Sequence, residues 1–370
     1  MKVLHLISSF GSGGAERQLS IIAPALAESG VECHVGYCYE GPNLAPLLDS
    51  PVFLHQLRVA GNHDPRLFWQ VWTLIRAVKP DVVQTWLLQM DVMGGAAALL
   101  AQVPFILSER SSASAYPPGW KTFLRGSVGM FASSIVANSQ GGVDYWVSLG
   151  AKVPIHLIRN CVTPSKCALA DVGHIPPAIP LILFAGRLSP EKNVILLLDA
   201  LIKVVSAVPE CVVVMFGEGP LLDGLRRKIA DANMAGRIRL GGYARNLAAW
   251  LNRADVCVSI SNFEGNPNVA LEAAAQGCPL VLSDIPAHRE VFDETSAWFV
   301  KHKSVDDVSD GILRALREKE ERSAKTERAK RVVASYTPDT ILAEYLRVYS
   351  DVMNLKGRDC DQSKGAHKGT

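Results

Sequence analysis

Short runs of β-branched and apolar residues alternate along this chain with longer stretches whose apolar positions recur every three or four residues. "KVLHLIS", "VECHVGYCY", "PDVVQTW", "PFILSER" and "SSIVANS" are runs of the first kind. The spacing between them predicts helices over 14–29, 66–78, 91–102 and 119–131. "VDYWVSLG" and "KVPIHLIRN" continue the pattern. Apolar strands joined by amphipathic helices predict a parallel, doubly wound sheet, so the fold class is α/β.

The aperiodic, Pro-rich stretch "CVTPSKCALADVGHIPPAIP" interrupts the alternation and reads as an interdomain linker. A second series follows: "LILFAGR", a helix over 193–207, "CVVVMFG", a helix over 219–232, "RIRLGGY", a helix over 245–252, "VCVSIS", a helix over 268–276 and "PLVLSD". The chain therefore holds two similar halves, without a short-period repeat. Residues 306–334 are helical and charge-rich, and "REKEERSAKTERAKR" reads as a solvated face. A last amphipathic helix is expected over 338–356, and the polar residues 357–370 are expected to be disordered.

Composition narrows the function classes. At 370 residues the chain exceeds one ordinary core, which agrees with two domains. A formal net charge of +2 gives no reason to expect a nucleic-acid partner. The eight Cys form no C-x-x-C and the nine His no ligand spacing. Reduced, buried thiols in the cytoplasm are expected, and no metal site and no cofactor. The first apolar run is too short for a signal peptide and reads as a buried strand. The longest apolar stretch, "MGGAAALLAQVPFIL", is broken by Gln102 and Pro104 and is too short to span a bilayer. Contact with a membrane surface stays open.

The candidate chemistry lies in "SNFEGNPNVALEAAAQG", where Glu264 and Glu272 stand eight positions apart. Glu264 follows the strand "VCVSIS" in a loop with Gly265 and Asn266, at a strand end of the kind where doubly wound sheets bind ligands. Pro267 suits the first turn of the next helix. The backbone amides around Asn268 and Val269, with the helix dipole, suit a phosphate. Glu272 lies one turn further on, and helical side chains tilt toward the N-terminus, so its carboxylate reaches back to the same ligand. A carboxylate repels phosphate but accepts hydrogen bonds from a vicinal diol such as ribose. Glu264 can do the same for hydroxyls beyond the phosphate. Ribose, phosphate and polyol in a row describe a nucleotide sugar. "AGRLSPEKN" adds Arg187 and Lys192 from a loop with Gly186, cations suited to a diphosphate leaving group. "GEGP" adds Gly217 and Gly219, where missing side chains permit close backbone approach.

These residues, with "GSGGAERQL", "PDVVQTW", "VANSQG" and "IRN", make the chain resemble a family-4 retaining glycosyltransferase of GT-B fold, over about residues 1–350. The resemblance implies two Rossmann-like domains facing a cleft: 1–170 for the acceptor and 171–337 for the donor, with the helix over 338–356 crossing back to the N-domain. It implies that Arg187 and Lys192 hold the diphosphate, Glu264 contacts the transferred sugar and Glu272 the ribose. Gly13 and Gly14 would close over the donor, and Tyr243 belongs to the donor side. Family members often carry a His after an N-domain strand, near the reacting sugar; Arg110, in "LSERSS", stands there in this chain. The implied partners are a nucleotide-sugar donor, with UDP as the expected nucleotide, and a glycan or lipid-linked acceptor of the kind used in cell-surface polysaccharide synthesis.

Other readings compete. "GSGGAE" begins like a dinucleotide fingerprint but has Glu16 where the third Gly belongs. A nucleotide-sugar 2-epimerase or a non-catalytic nucleotide-sugar sensor would share the fold. Trp120, Phe123 and Phe131, interleaved with Lys121 and Arg125, fit a membrane-surface face or an ordinary amphipathic helix. The pattern alone favours the second, with apolar residues inward and basic residues outward.

Overall fold

A computed structural model describes residues 1–61, 64–163, 172, 175–244 and 246–365, with side chains as far as Asn354. The chain divides into two compact units, Met1–Cys161 with the chain from Pro338 onward, and Val162–Thr337. The division falls at Cys161/Val162, at the start of the stretch read as linker and ahead of the expected boundary at 170/171. Most of the expected linker between 164 and 174 lies outside the described residues.

The first unit is a seven-stranded sheet whose neighbours all pair in parallel: β1 (Lys2–Ser9), β2 (Glu32–Tyr39), β3 (Phe53–Gln56), β4 (Val82–Trp86), β5 (Phe105–Glu109), β6 (Ser134–Ala137) and β7 (Ile155–Leu157). Their order is β3-β2-β1-β4-β5-β6-β7. The period-2 alternation of β1 sends Val3 and Ile7 to one face and Leu4 and Leu6 to the other, and each face has its own core. The helix Gly14–Glu28 covers the first face with Leu19, Ile22 and Leu26. Helices Arg66–Val78 and Leu88–Leu100 cover the second, where Val71, Ile75 and Ala97 meet Phe105 and Trp146.

The last helix, Pro338–Gly365, belongs to this first unit and continues past the end expected at 356; residues 366–370 lie outside the described residues. Ile341, Tyr345, Val348, Tyr349 and Val352 recur at helical spacing and complete the core beside Gly14–Glu28. β3 and the short helix Ala45–Leu48 lie between "VECHVGYCY" and the helix expected at 66–78, where the apolar pattern predicts no element. "FLHQ" has no apolar run because it is an edge strand with one neighbour and exposed positions.

At the carboxyl end of β5 the inside-out pattern is inverted. Arg125, expected on the surface of the helix Trp120–Gly129, is 1% exposed. Its Nε donates to Asp91 Oδ2 at 2.7 Å, and its Nη1 lies 2.8 Å from Glu109 Oε2. The guanidinium also faces the rings of Tyr116 at 4.4 Å and Trp146 at 5.1 Å. Tyr116 Oη and Trp146 Nε1 donate to Glu109 at 2.6 and 3.0 Å, and Thr85 Oγ1 to Asp91 at 2.8 Å. Two buried carboxylates face one cation, so burial pushes the Asp91 carboxyl up to about 6 against the pull of Arg125. With Arg125 drawn inward, Trp120, Phe123 and Phe131 are left outside. The amphipathic reading of this helix is therefore corrected.

The second unit is a parallel six-stranded sheet: β8 (Leu181–Ala185), β9 (Val212–Phe216), β10 (Ile238–Gly242), β11 (Val256–Ser259), β12 (Leu280–Ser283) and β13 (Trp298–Val300), in the order β10-β9-β8-β11-β12-β13. One face packs on Val194–Ala207 and Val305–Arg317, the other on Asn268–Ala275 and Lys319–Val333. The charge-rich helical segment consists of two helices, divided at Glu318.

The buried triad yields a prediction. Arg125→Ala leaves two carboxylates without their cation and should cost about 3–5 kcal/mol of stability. Replacing all three charges (Arg125→Met, Asp91→Asn, Glu109→Gln) should cost clearly less, because nothing charged is then stranded. Urea unfolding followed by tryptophan fluorescence measures both, and a triple variant less stable than Arg125→Ala would contradict this account.

Candidate functional site

In the second unit the chain leaves β8 toward β9 and β10 and returns to β11 on the other side, so β8 and β11 flank the switch point. Their ladder pairs Val256 with Ile182 and Cys257 with Leu183. Beyond it, Phe184 and Ala185 pair with β9, and Val258 and Ser259 with β12. The carboxyl ends of the two central strands thus part, and the loops after them flank the crevice where open α/β sheets take ligands.

Those loops are tied to each other. The backbone amide of Asn262 donates to Glu191 O at 2.8 Å, and its side chain to Pro190 O at 2.8 Å. The turn Pro190–Lys192 is thereby held against the loop after β11. Across this junction Lys192 Nζ bonds Glu264 Oε1, which also accepts from Ser261 Oγ at 2.6 Å. Burial alone would push the Glu264 carboxyl up. The Lys192 charge, with the hydrogen bonds from Lys192 and Ser261, outweighs it, so the group sits below the usual carboxylate range and is ionised at neutral pH. The predicted cation and the predicted sugar-facing acid are partners. The ammonium carries donors beyond the one spent on Glu264.

Arg187 projects from the same loop. Its side chain is largely exposed, and its nearest carboxylate, Glu191 Oε1, is 3.9 Å away. The glycines of "GEGP" hold this loop in place. A Cβ on Gly217 (φ +142°) would meet Gly186 O at 1.8 Å, and one on Gly219 (φ +158°) would meet Leu188 O at 2.4 Å. Their close approach is therefore to the chain's own backbone, and Leu188 N donates to Glu218 O at 2.9 Å across it.

Gly265, Asn266 and Pro267 are buried and lead into the helix Asn268–Ala275. The Asn268 amide turns back to Asn266 O at 3.0 Å. The first-turn amides that could meet an anion therefore start at Val269, one residue later than the sequence suggests. Glu272 lies one turn in and is partly buried. Burial pushes the Cys257 thiol on β11 up to about 12, and the nearby Glu272 charge adds to the effect. Tyr243, in the turn after β10, is exposed.

One residue of this site was not singled out from sequence. His288, on the short helix Pro286–Arg289 after β12, is fully buried. Its Nδ1 lies 2.9 Å from Ser283 O, which can only accept, so Nδ1 carries the proton. Ser283 Oγ donates to Ser261 O at 2.9 Å, which links this imidazole to the residue that bonds Glu264. Burial, opposed by the Glu264 carboxylate and the bond to Ser283, holds the His288 pKa below its ordinary 6.5. A single His in "SDIPAHREV" carries no motif-like signal.

In the first unit, the Glu16 carboxylate folds onto the glycine loop. A Cβ on Gly13 would stand 2.3 Å from Glu16 Oε2. A carboxylate lying on that loop disfavours a pyrophosphate there and with it the dinucleotide reading. Gly14 begins the helix behind it. Arg110 bonds Asn160 Oδ1 and reaches Tyr345 Oη at 3.4 Å, and its guanidinium lies 4.9 Å from the Trp86 ring centroid. It joins β4, the segment after β7 and the last helix. Among the described residues, no group of three or more His, Cys, Asp or Glu could hold a metal ion.

The family model described as Glycosyl transferases group 1 matches residues 171–332, and that of Glycosyltransferase Family 4 matches residues 12–166. The chain belongs to the group 1 glycosyltransferases. This glycosyltransferase is 26% identical to the lipopolysaccharide core biosynthesis glycosyltransferase LpsE of Rhizobium meliloti, over 94% of this chain and 98% of that protein. It is 25% identical to a Campylobacter jejuni α-1,4-N-acetyl-D-galactosaminyltransferase named for an undecaprenol-linked diphospho-glycan, over 74% of this chain and 76% of that one. The crystal structure of Anabaena HepE in complex with UDP and glucose superposes with a TM-score of 0.84, over 95% of this chain and 100% of that one, at 18% identity. The shared architecture is the GT-B fold, with two Rossmann-like parallel sheets.

The buried imidazole makes stability pH-dependent. The folded His288 pKa is depressed, so below about 6.5 the unfolded chain binds the proton more readily and stability falls with pH. Exchanging it for a residue without a proton to gain, His288→Gln, should flatten the unfolding free energy between pH 6.5 and 5 by up to about 1.4 kcal/mol per pH unit. Urea titrations of both proteins across that range measure the slopes. Parallel slopes would mean that His288 takes up its proton in the folded state.

Proposed function

We propose that this glycosyltransferase moves a sugar from a UDP-sugar to a hydroxyl of a glycan or lipid-linked acceptor, with retention at the anomeric carbon. The observation that carries the reading is the Lys192–Glu264 pair at the β8/β11 switch point, with the exposed Arg187 on the same loop. The UDP complex of HepE and the undecaprenol-linked substrate in the Campylobacter relative's name support the two substrate classes.

In this mechanism the second unit is the donor domain and the first the acceptor domain. The diphosphate lies against Arg187, Lys192 and the amide of Val269. Glu272 accepts hydrogen bonds from the ribose diol. Glu264, kept ionised by Lys192, accepts from hydroxyls of the transferred sugar and stabilises positive charge at its anomeric carbon. As the bond from the anomeric carbon to the diphosphate oxygen breaks and the acceptor oxygen bonds that carbon, negative charge grows on the diphosphate, where the two cations meet it. The leaving oxygen takes the proton of the incoming hydroxyl on the same face. The enzyme works in the cytoplasm at the inner membrane face, where lipid-linked acceptors are reached. The six described cysteines are free and buried, in keeping with a reducing compartment.

Thermal unfolding with UDP- and GDP-sugars tests the donor assignment, because a ligand of the folded state raises the midpoint. Protection by GDP-sugars alone would overturn the UDP assignment. Arg187→Ala should lower kcat by a factor on the order of 100 and leave the unfolding midpoint unchanged.

The two acids should separate in kinetics. Glu272→Gln should weaken UDP and UDP-sugar alike, since ribose does not change during reaction. Glu264→Gln should depress kcat with little effect on UDP affinity, as expected for an interaction made mainly in the transition state. Calorimetric UDP affinities beside kcat for both variants decide this, and the opposite pattern would exchange the two roles.

A further inference from the structure

The helix Trp120–Gly129 carries its charge inside and its aromatic residues outside. Arg125 is held by Asp91 and Glu109, which fixes the rotation of the helix. At about 100° per residue, Trp120, Phe123, Leu124 and Ser127 then share the opposite arc. Trp120 is 66% exposed and Phe123 72%, and Phe131, in the turn that closes the helix, is 70% exposed. Leu149, also exposed, borders this surface: its Cδ1 is 3.8 Å from where a Cβ on Gly126 would stand. An apolar stripe of this kind on a water-exposed helix marks a surface that meets something other than water.

We propose that this face seats the enzyme on an anionic lipid bilayer, with the helix lying in the headgroup plane. The inference rests on the lipid-linked acceptor reading and names the surface by which such an acceptor is approached. Charge points to a membrane as the occupant. Between Glu109 and Asp144 the chain carries no carboxylate side chain, so nothing along this segment repels anionic headgroups. Lys121 stands beside the aromatic arc with its Nζ 5.5 Å from the Trp120 ring centroid, which puts a cation at the border of the apolar face. Tryptophan and phenylalanine with a flanking lysine are the residues that interfacial helices use.

Position agrees as well. The helix follows the loop 110–119 after the carboxyl end of β5, the sheet edge at which doubly wound folds take their ligands. Tyr116 of that loop packs on Arg125 and bonds Glu109. One buried cluster therefore holds both the loop and the lipid-facing helix. A polyprenyl-linked acceptor entering from the bilayer would meet that loop beside the seated face.

The test is flotation of the purified full-length enzyme with vesicles of phosphatidylglycerol and phosphatidylethanolamine, and with vesicles of phosphatidylcholine alone. The wild type should float with the anionic vesicles. Trp120→Ser with Phe123→Ser should lower its partition by about tenfold or more, since membrane affinity scales with the apolar area inserted. Lys121→Glu should weaken binding to the anionic vesicles only. Trp69→Ser, an exposed aromatic on the helix Arg66–Val78, should change nothing. UDP-dependent thermal protection, measured on every variant, should be unaltered. It separates a failure of the donor reading, where protection is lost in the wild type too, from a failure of the membrane assignment. Wild-type flotation by the double variant would overturn the proposal, as would equal loss on Trp69→Ser. So would a wild type that ignores vesicles but self-associates through this face, seen as a dimer in light scattering that the double variant abolishes.

Discussion

Beyond Leu183 and Cys257, β8 and β11 stop pairing with each other and pair only outward, with β9 and β12. Every assignment in the second unit depends on that parting. Each strand ends in a loop that lacks its central neighbour, and the two loops satisfy each other, Asn262 with the backbone of Pro190 and Glu191, and Lys192 with Glu264. The glycines at 217 and 219 are part of the same arrangement. They let the loop after β9 lie flat against the loop after β8, so the cationic turn is supported from both sides. A partly buried carboxylate is tolerable there only because a lysine reaches it.

The first unit handles buried charge in the same way but for a different end. Arg125 between Asp91 and Glu109 makes no opening; it sets the rotation of a helix and anchors a loop through Tyr116. Arg110 likewise works inward, between Trp86, Asn160 and Tyr345. The residue expected beside the reacting sugar connects three parts of the first unit, a role no spacing rule could reveal because its partners are 24, 50 and 235 positions away.

What could be read in advance follows from where information is local. The alternation of buried strands and helices is a property of successive residues, so the two doubly wound sheets were legible, as were the strand-end positions of Glu264 and the cationic loop; the bond from Lys192 to Glu264 is a contact made by folding. β13, three residues long, and β3, on an edge, are defined by their neighbours and left too little pattern. His288 becomes part of the site only through Ser283 and Ser261, contacts made by folding. The helix at 120–129 was misread because its aromatic and basic residues are arranged as in an ordinary amphipathic helix. The side that faces inward was decided by two carboxylates on other elements, Asp91 and Glu109.

The last helix has a consequence for how the protein is made. Tyr345, Val348, Tyr349 and Val352 complete the core that Ile22, Leu26 and Trp86 begin, and the whole second unit is encoded between them. During synthesis the first unit leaves the ribosome before its closing helix has been translated, so part of that core waits in water while the second unit folds. A nascent chain that stops anywhere before Tyr345 has an exposed apolar groove beside the helix Gly14–Glu28, a mark by which cellular quality control can tell an unfinished copy from a finished one.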